Sequence, residues 1–235
     1  TYDCAIDWET RFRRMQNHSG EHIVSGLVHK KYGYNNVGFH MGSDVVTIDF
    51  DGELSWEQLL EIEREANRAV AANYKVTATF PAEDVLKTLE YRSKLELTEN
   101  VRIVEIENTD ICACCAPHVS STAEVGTVRI LTAERRRRGG DGVRITMLCG
   151  LDAFDHEVIT DSNNAEISML LSAKRTETAA AVRESYATAN VGFGNMGSGG
   201  SVIAFGGREQ GCHGCSRSHR AYTTRFSVSA GCCRR

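Results

Sequence analysis

The order and period of the apolar residues predict an α+β fold with a mainly antiparallel sheet and packed helices. Two features carry that expectation: short runs of strand period recur between residues 37 and 148, and segments of helical period lie among them, one opening with a capping box. Residues 17–31 carry Ile23, Val24, Leu27 and Val28, with Gly20 and Gly26 as the only breakers, which predicts a helix. Residues 37–41 and 45–50, parted by Gly42-Ser43-Asp44, predict a β-hairpin. Ser55 followed by Gln58 predicts a capped helix to about Asn73, with Leu59, Ile62, Ala66, Ala69 and Val70 as its buried stripe. Residues 75–80 alternate as a strand, 82–89 read as a short helix after Pro81, and 101–106, 125–131 and 143–148 read as further strands. A long helix is expected from about Asn164 to Tyr186, with Ile167, Leu170, Leu171 and Ala181 as its apolar positions.

The chain has 235 residues, 41% hydrophobic and 25% charged with 2 prolines, a balance that excludes collagen-like and wholly disordered classes. Its net charge of −4 provides no global basic field, so any nucleic-acid binding needs a local patch. No run of about 18 apolar residues is present, so no membrane-spanning helix is expected. The start Thr1-Tyr2-Asp3-Cys4 is neither a signal peptide nor an initiator methionine, which leads us to expect a fragment of something longer. Ten of the 21 glycines fall between Gly192 and Gly231, which sets a boundary near residue 186 and makes 187–235 a glycine-rich, disordered tail.

Five of the 9 cysteines lie in the first 150 residues, and the tight group Cys112-Ala113-Cys114-Cys115 cannot bridge within itself without strain. Metal ligation in a reducing, cytoplasmic setting is the better reading. His18 and His22 stand at i and i+4, so both project from one helix face, close enough to share an ion. Cys114 and His118 are also four apart. Two imidazoles from a helix with one thiolate and one imidazole from a distant loop complete a tetrahedral zinc set, in which Cys112 and Cys115 compete with Cys114 as the thiolate. The plainer alternative makes the cysteines small buried hydrophobes and His118 a satisfied turn residue. The run Arg135-Arg136-Arg137-Arg138 before Gly139-Gly140 forms a basic loop suited to phosphates, which Arg11, Arg13 and Arg14 could extend. Cys212-His213-Gly214-Cys215 with Cys232-Cys233 lacks the paired spacing of a zinc knuckle.

The segment from Arg13-Arg14-Met15 through His18-Ser19-Gly20-Glu21-His22 resembles the opening motif of the AlaX-type alanyl-tRNA editing family, the freestanding relatives of the alanyl-tRNA synthetase editing domain. Cys114 to His118 with Val119, the run Thr122-Ala123-Glu124-Val125-Gly126, and Gly142-Val143-Arg144-Ile145 with Cys149-Gly150 are similar to its later motifs. The resemblance covers about residues 8–180, in the same order and at compatible spacing.

The resemblance implies Zn2+ held by His18, His22, Cys114 and His118, and hydrolysis in trans of the ester in mischarged alanine tRNA. Seryl-tRNA is the chief expected substrate and glycyl-tRNA a second. Glu21 is the candidate to orient the attacking water, and Ser19 stands where many members have threonine, keeping a hydroxyl for the substrate serine. Residues 4–8 resemble the last strand of a small β-barrel that precedes the editing domain in this family. The expected domains are therefore 1–10 as the end of that barrel, 11–160 as the zinc-binding editing domain, 161–186 as the long helix, and the tail. Where synthetase-type members have Cys-Gly-Gly-Thr-His, this chain has Cys114-Cys115-Ala116-Pro117-His118, which puts amino-acid specificity in question more than metal binding.

Three other readings compete. His18-x-x-Glu21-His22 fits an inverted zinc-protease motif, with Glu57, Glu61, Glu63 or Glu65 as the further ligand. A non-catalytic tRNA-binding zinc module is the second. The third is a detached editing part of alanyl-tRNA synthetase.

Overall fold

The computed structural model describes residues 3–93, 100–136 and 141–193, with side chains through Thr188. The chain divides into two compact units, Thr1–Arg183 and Glu184–Arg235. Helix α1 runs over Trp8–Tyr32, beginning well before the expected residue 17. Asp7 starts it, accepting from the Thr10 backbone at 3.1 Å and from the Thr10 hydroxyl at 2.8 Å. Gly33 ends it in the left-handed region, φ 74°, and its N–H bonds the His29 carbonyl at 2.8 Å.

Strands β1 (Asn36–Met41) and β2 (Val46–Phe50) form the expected hairpin, paired from Asn36 opposite Phe50 to Met41 opposite Val46. Helix α2 (Trp56–Ala72) carries the expected capping box at Ser55 and Gln58, and buries Leu59, Ile62, Ala66 and Ala69. Next come β3 (Val76–Thr79), the single turn α3 (Glu83–Leu86), β4 (Ile103–Ile106) and β5 (Asp110–Ala113). A 3-10 turn at Thr122–Val125 leads to β6 (Val128–Arg135) and β7 (Val143–Cys149). Among the described residues the strands form two antiparallel sheets, one of order β1-β2-β7-β6 and one of order β3-β4-β5.

The α+β class and antiparallel pairing stand as expected. The barrel strand is not seen: residues 3–7 have no regular structure, and Asp7 caps α1. The single long helix of 164–186 is also replaced. Helix α4 covers Gly150–Leu170, and after a turn in which Ser172 takes φ 50°, α5 covers Thr178–Phe193. The Thr178 hydroxyl donates to Asn164 Oδ1 at 2.8 Å and Arg175 pairs with Asp161 at 2.7 Å, so the chain turns back onto α4. The proposed tail therefore begins inside α5, and residues 194–235, with all four late cysteines, lie outside the described residues.

Helix α1 touches both sheets, meeting β1 and β7 on one side and β5 on the other. Its Ile23, Val24 and Val28 enter a core with Ile48, Phe50, Leu59, Ile62, Ile145 and Met147, all fully buried. Two close approaches set its seat. A Cβ on Gly20 would stand 2.2 Å from Cys149 Sγ, and one on Gly26 would stand 2.7 Å from the Thr109 carbonyl and from Asp110 Cβ. The residues that read as helix breakers are the positions where the two sheets press on the helix.

Candidate metal centre

Helix α1 buries polar side chains over its middle turns, and each has a fixed partner. Asn17 Oδ1 accepts the Cys149 backbone N–H at 2.9 Å and Gln16 Oε1 accepts that of Leu151 at 3.2 Å, so this stretch is locked to the end of β7. The lock aims His18 and His22 towards the segment that follows β5. There His18, His22, Cys114 and His118 bring their donor atoms within 4.8 Å of one another, a group able to hold a metal ion. His18 Nε2 and His118 Nε2 each lie 3.5 Å from Cys114 Sγ.

All three imidazoles are held through Nδ1, which leaves Nε2 for the cluster. His18 Nδ1–H donates to the Pro117 carbonyl at 3.1 Å, an acceptor only, which settles that tautomer. His22 Nδ1–H donates to Asp110 Oδ2 at 3.1 Å. His118 Nδ1 lies 3.1 Å from Ser19 Oγ, which also accepts the Val119 N–H at 3.2 Å. Arg102 donates to the carbonyls of Cys114 at 2.8 Å and Ala116 at 3.0 Å, bracing the loop from behind.

The electrostatics separate the three candidate thiols. Burial pushes the Cys114 thiol up, but its contacts with His118, His18 and His22 outweigh it and hold the pKa down at about 3, which favours the thiolate. Burial raises Cys112 to about 12, only partly opposed by the charge of Arg92, so that sulfur stays protonated. Cys115 is exposed and belongs to no metal-binding group among the described residues. For His22, burial disfavours the charge, yet hydrogen bonds to Asp110 and Cys114 and the charge of Glu21 raise its pKa to about 9. Burial and the neighbouring imidazoles bring His118 down to about 4, against the pull of Cys114.

Glu21 is buried beside the cluster. Its Oε1 accepts from the Ser25 hydroxyl and from Asn36 Nδ2, both at 2.6 Å, while Oε2 stands 3.8 Å from His22 Nε2. Ser19 differs from expectation. It is fully buried with its oxygen engaged by His118 and Val119, because it lies in mid-helix under the loop, and so it is placed against His118 rather than in the open cleft. A cleft of about 1400 Å³ opens over the cluster, lined by His18, Glu21, His22, Phe39, Tyr91 and Cys114 among others.

The arginines lie elsewhere. Arg135, exposed at the end of β6, pairs with Asp141 at 2.9 Å; neither it nor Arg136 lines the cleft, and Arg137 and Arg138 are outside the described residues. Arg13 is tied to Asp152 at 2.8 Å and Asp155 at 2.7 Å. Three of the four glutamates of the protease reading are also committed: Glu63 holds Arg129 and the Ile130 N–H, while Glu61 and Glu65 hold Lys31. Sequence reasoning missed Asp110 and Arg92, whose pairing joins residues 18 positions apart and leaves no local pattern.

The fold and this cluster define an α+β domain with a partly buried three-imidazole, one-thiolate donor set at the base of a cleft. Residues 101–146 match the family model "Threonyl and Alanyl tRNA synthetase second additional domain". The chain is 32% identical over 162 residues to alanyl-tRNA editing protein AlaX-L of Pyrococcus horikoshii, covering 66% of this chain and 39% of that protein. It is 31% identical over 147 residues to alanine--tRNA ligase of Methanococcus maripaludis, covering 59% of this chain and 16% of the ligase. It is 30% identical over 139 residues to alanyl-tRNA editing protein Aarsd1-A of Xenopus laevis, covering 57% and 33%. By sequence the chain is similar to alanyl-tRNA editing proteins and to alanine--tRNA ligases, and it spans well under half the length of the relatives it matches.

Proposed function

We propose that this chain hydrolyses the ester of mischarged alanine tRNA, Ser-tRNA(Ala) chiefly and Gly-tRNA(Ala) as a second substrate, with Zn2+ in the candidate centre. The observation that carries the reading is the spacing of the donors. A tetrahedral ion with nitrogens at about 2.0–2.1 Å and a sulfur at about 2.3 Å has a nitrogen–sulfur edge of about 3.5 Å. Cys114 Sγ stands 3.5 Å from both His18 Nε2 and His118 Nε2. A thiolate with imidazole nitrogens also suits zinc chemically, the ion displacing any proton on the nitrogens it takes.

Zinc bound there supplies Lewis-acid polarisation and orients the reacting groups. The remaining steps fall to the chain. The cleft admits the aminoacylated end of the tRNA, and Glu21, with Oε1 fixed by Ser25 and Asn36, presents its other oxygen to take a proton from a water attacking the ester carbonyl. The aminoacyl–oxygen bond breaks, the amino acid leaves as the acid, and the ribose hydroxyl recovers a proton. Ser19 acts here as a positioning residue for His118. The basic loop from Arg135 to Arg138 contacts tRNA phosphates in this reading, and the protein acts in the cytoplasm. No described helix is long and apolar enough to cross a membrane.

The test is release of serine from alanine tRNA charged with serine, by the parent, by Cys114→Ala and His118→Ala, and by a chelator-treated sample. Hydrolysis by the parent and loss in the other three is the expected result. Undiminished hydrolysis after zinc removal would sink the metal-dependent reading, and tRNA binding without hydrolysis would point to the binding module.

A further inference from the structure

We infer that Arg92 and Asp110 form a positioning relay that fixes His22 as a metal ligand; the inference rests on the zinc reading above. His22 carries its metal-side nitrogen in the right place only if Nδ1 keeps the proton and the ring cannot turn. Both conditions come from Asp110. Its Oδ2 accepts from His22 Nδ1–H at 3.1 Å, and it is itself clamped by Arg92, Nε to Oδ1 and Nη2 to Oδ2, both at 2.7 Å. The side chains of His22, Asp110 and Arg92 are 5%, 2% and 14% exposed, so little water competes for these bonds.

The backbone makes the relay stiff. Arg92 N–H donates to the Ile111 carbonyl at 2.8 Å, and the Ala113 N–H donates to the Arg92 carbonyl at 2.9 Å, so residue 92 lies alongside β5 as a short added edge. Asp110 opens β5, and the lack of a side chain at Gly26 lets that strand press against α1 one turn beyond His22. Arg92, Asp110 and His22 thus come from three segments that the backbone contacts of β5 hold together. Metal-bound histidines generally need such a partner on the far nitrogen, and its loss typically weakens metal binding by 10- to 100-fold.

His22, Asp110 and Cys112 themselves form a three-donor group. Asp110 already spends both oxygens on Arg92 and His22, so the group serves the relay rather than a second ion.

The experiment measures zinc affinity of the full chain by competition with a chromophoric chelator for the parent, Asp110→Asn, Arg92→Gln and Cys114→Ser, with apo-protein thermal unfolding for each and 15N-histidine NMR of the zinc-loaded parent. The relay predicts a loss of about 10- to 100-fold in Asp110→Asn and a smaller loss in Arg92→Gln. It also predicts a His22 signal of the Nδ1–H tautomer. Parent-like affinity in Asp110→Asn, or in Arg92→Gln if the former fails to fold, would overturn the relay, as would a His22 protonated on Nε2. A parent that binds no zinc, or a Cys114→Ser that binds it as the parent does, would overturn the zinc reading itself.

Discussion

Helices α1 and α2 pack against each other yet obey opposite rules. Helix α2 is amphipathic: Leu59, Ile62, Ala66 and Ala69 face the core, the other face is largely polar, and Ser55 and Gln58 close its first turn. Helix α1 buries Gln16, Asn17, His18, Ser19, Glu21, His22 and Ser25 alongside its apolar Ile23, Val24 and Val28. The stability of α2 comes from apolar area, whereas the middle of α1 depends on every polar group finding its partner. A helix built in the second way is tolerated because it positions chemistry, and its buried groups are the ones on which the candidate centre depends.

The comparison can be broken first at the metal. Replacing Cys114 with Ala should lower zinc affinity by more than about 100-fold, beyond the range of outer-shell changes, while the apo form keeps its α2 packing. Metal content per chain by atomic absorption and near-native circular dichroism together check this. Next, Leu59→Ala on α2 removes a fully buried side chain and should cost about 2–5 kcal/mol in denaturant unfolding, with zinc stoichiometry unchanged in whatever fraction remains folded. An equal loss of zinc per folded chain would show that the two helices are not separable in this way.

Gly20→Ala offers a test of sign. Helix propensity alone predicts a gain of about 0.5–1 kcal/mol. The contact with Cys149, 2.2 Å from the added Cβ, predicts instead a loss of about 1–3 kcal/mol, read as a lowered Tm. The smallest effect belongs to the cap: Ser55→Ala should cost about 1 kcal/mol in thermal unfolding and leave zinc affinity unaltered.

The same contrast explains what the sequence could tell. Helix α2 was legible because its signals are local, a cap three residues from its partner and a stripe at helical spacing. The hairpin β1–β2 was legible for the same reason. The start of α1 was not, since Trp8 to Met15 carry no continuous apolar period and the capping signal is a lone Asp7 bonded to Thr10. Strand β5 is four residues long and ends among cysteines, so its role as the platform for Asp110 lies below any periodic signal. Helix α4 begins at Gly150, φ 59°, where the exposed Phe154, Val158 and Ile159 sit among charged and polar residues that mask its period.

Of the site, the two pairs His18/His22 and Cys114/His118 could be read because the members of each lie only four positions apart in the chain. Choosing Cys114 over Cys112 and Cys115 by physical argument took the tertiary structure. It is the fold that surrounds one sulfur with three imidazoles, gives Cys112 only His22 and leaves Cys115 exposed. Ser19 could not be placed at all from its position in the chain, because its burial depends on a loop about a hundred residues away.

The separation between those pairs has a topological consequence. His18 and Cys114 are 96 positions apart in the chain, so an ion that joins them cross-links α1 to the far sheet and closes a loop of that length. By the loop-entropy argument used for covalent bridges, a closure of this size removes about 4–5 kcal/mol of freedom from the unfolded chain. The centre would then act as a reversible clasp. A nascent chain could not assemble it until residue 118 had been made and α1 had met the β5 segment, which ties the appearance of the chemistry to completion of the fold.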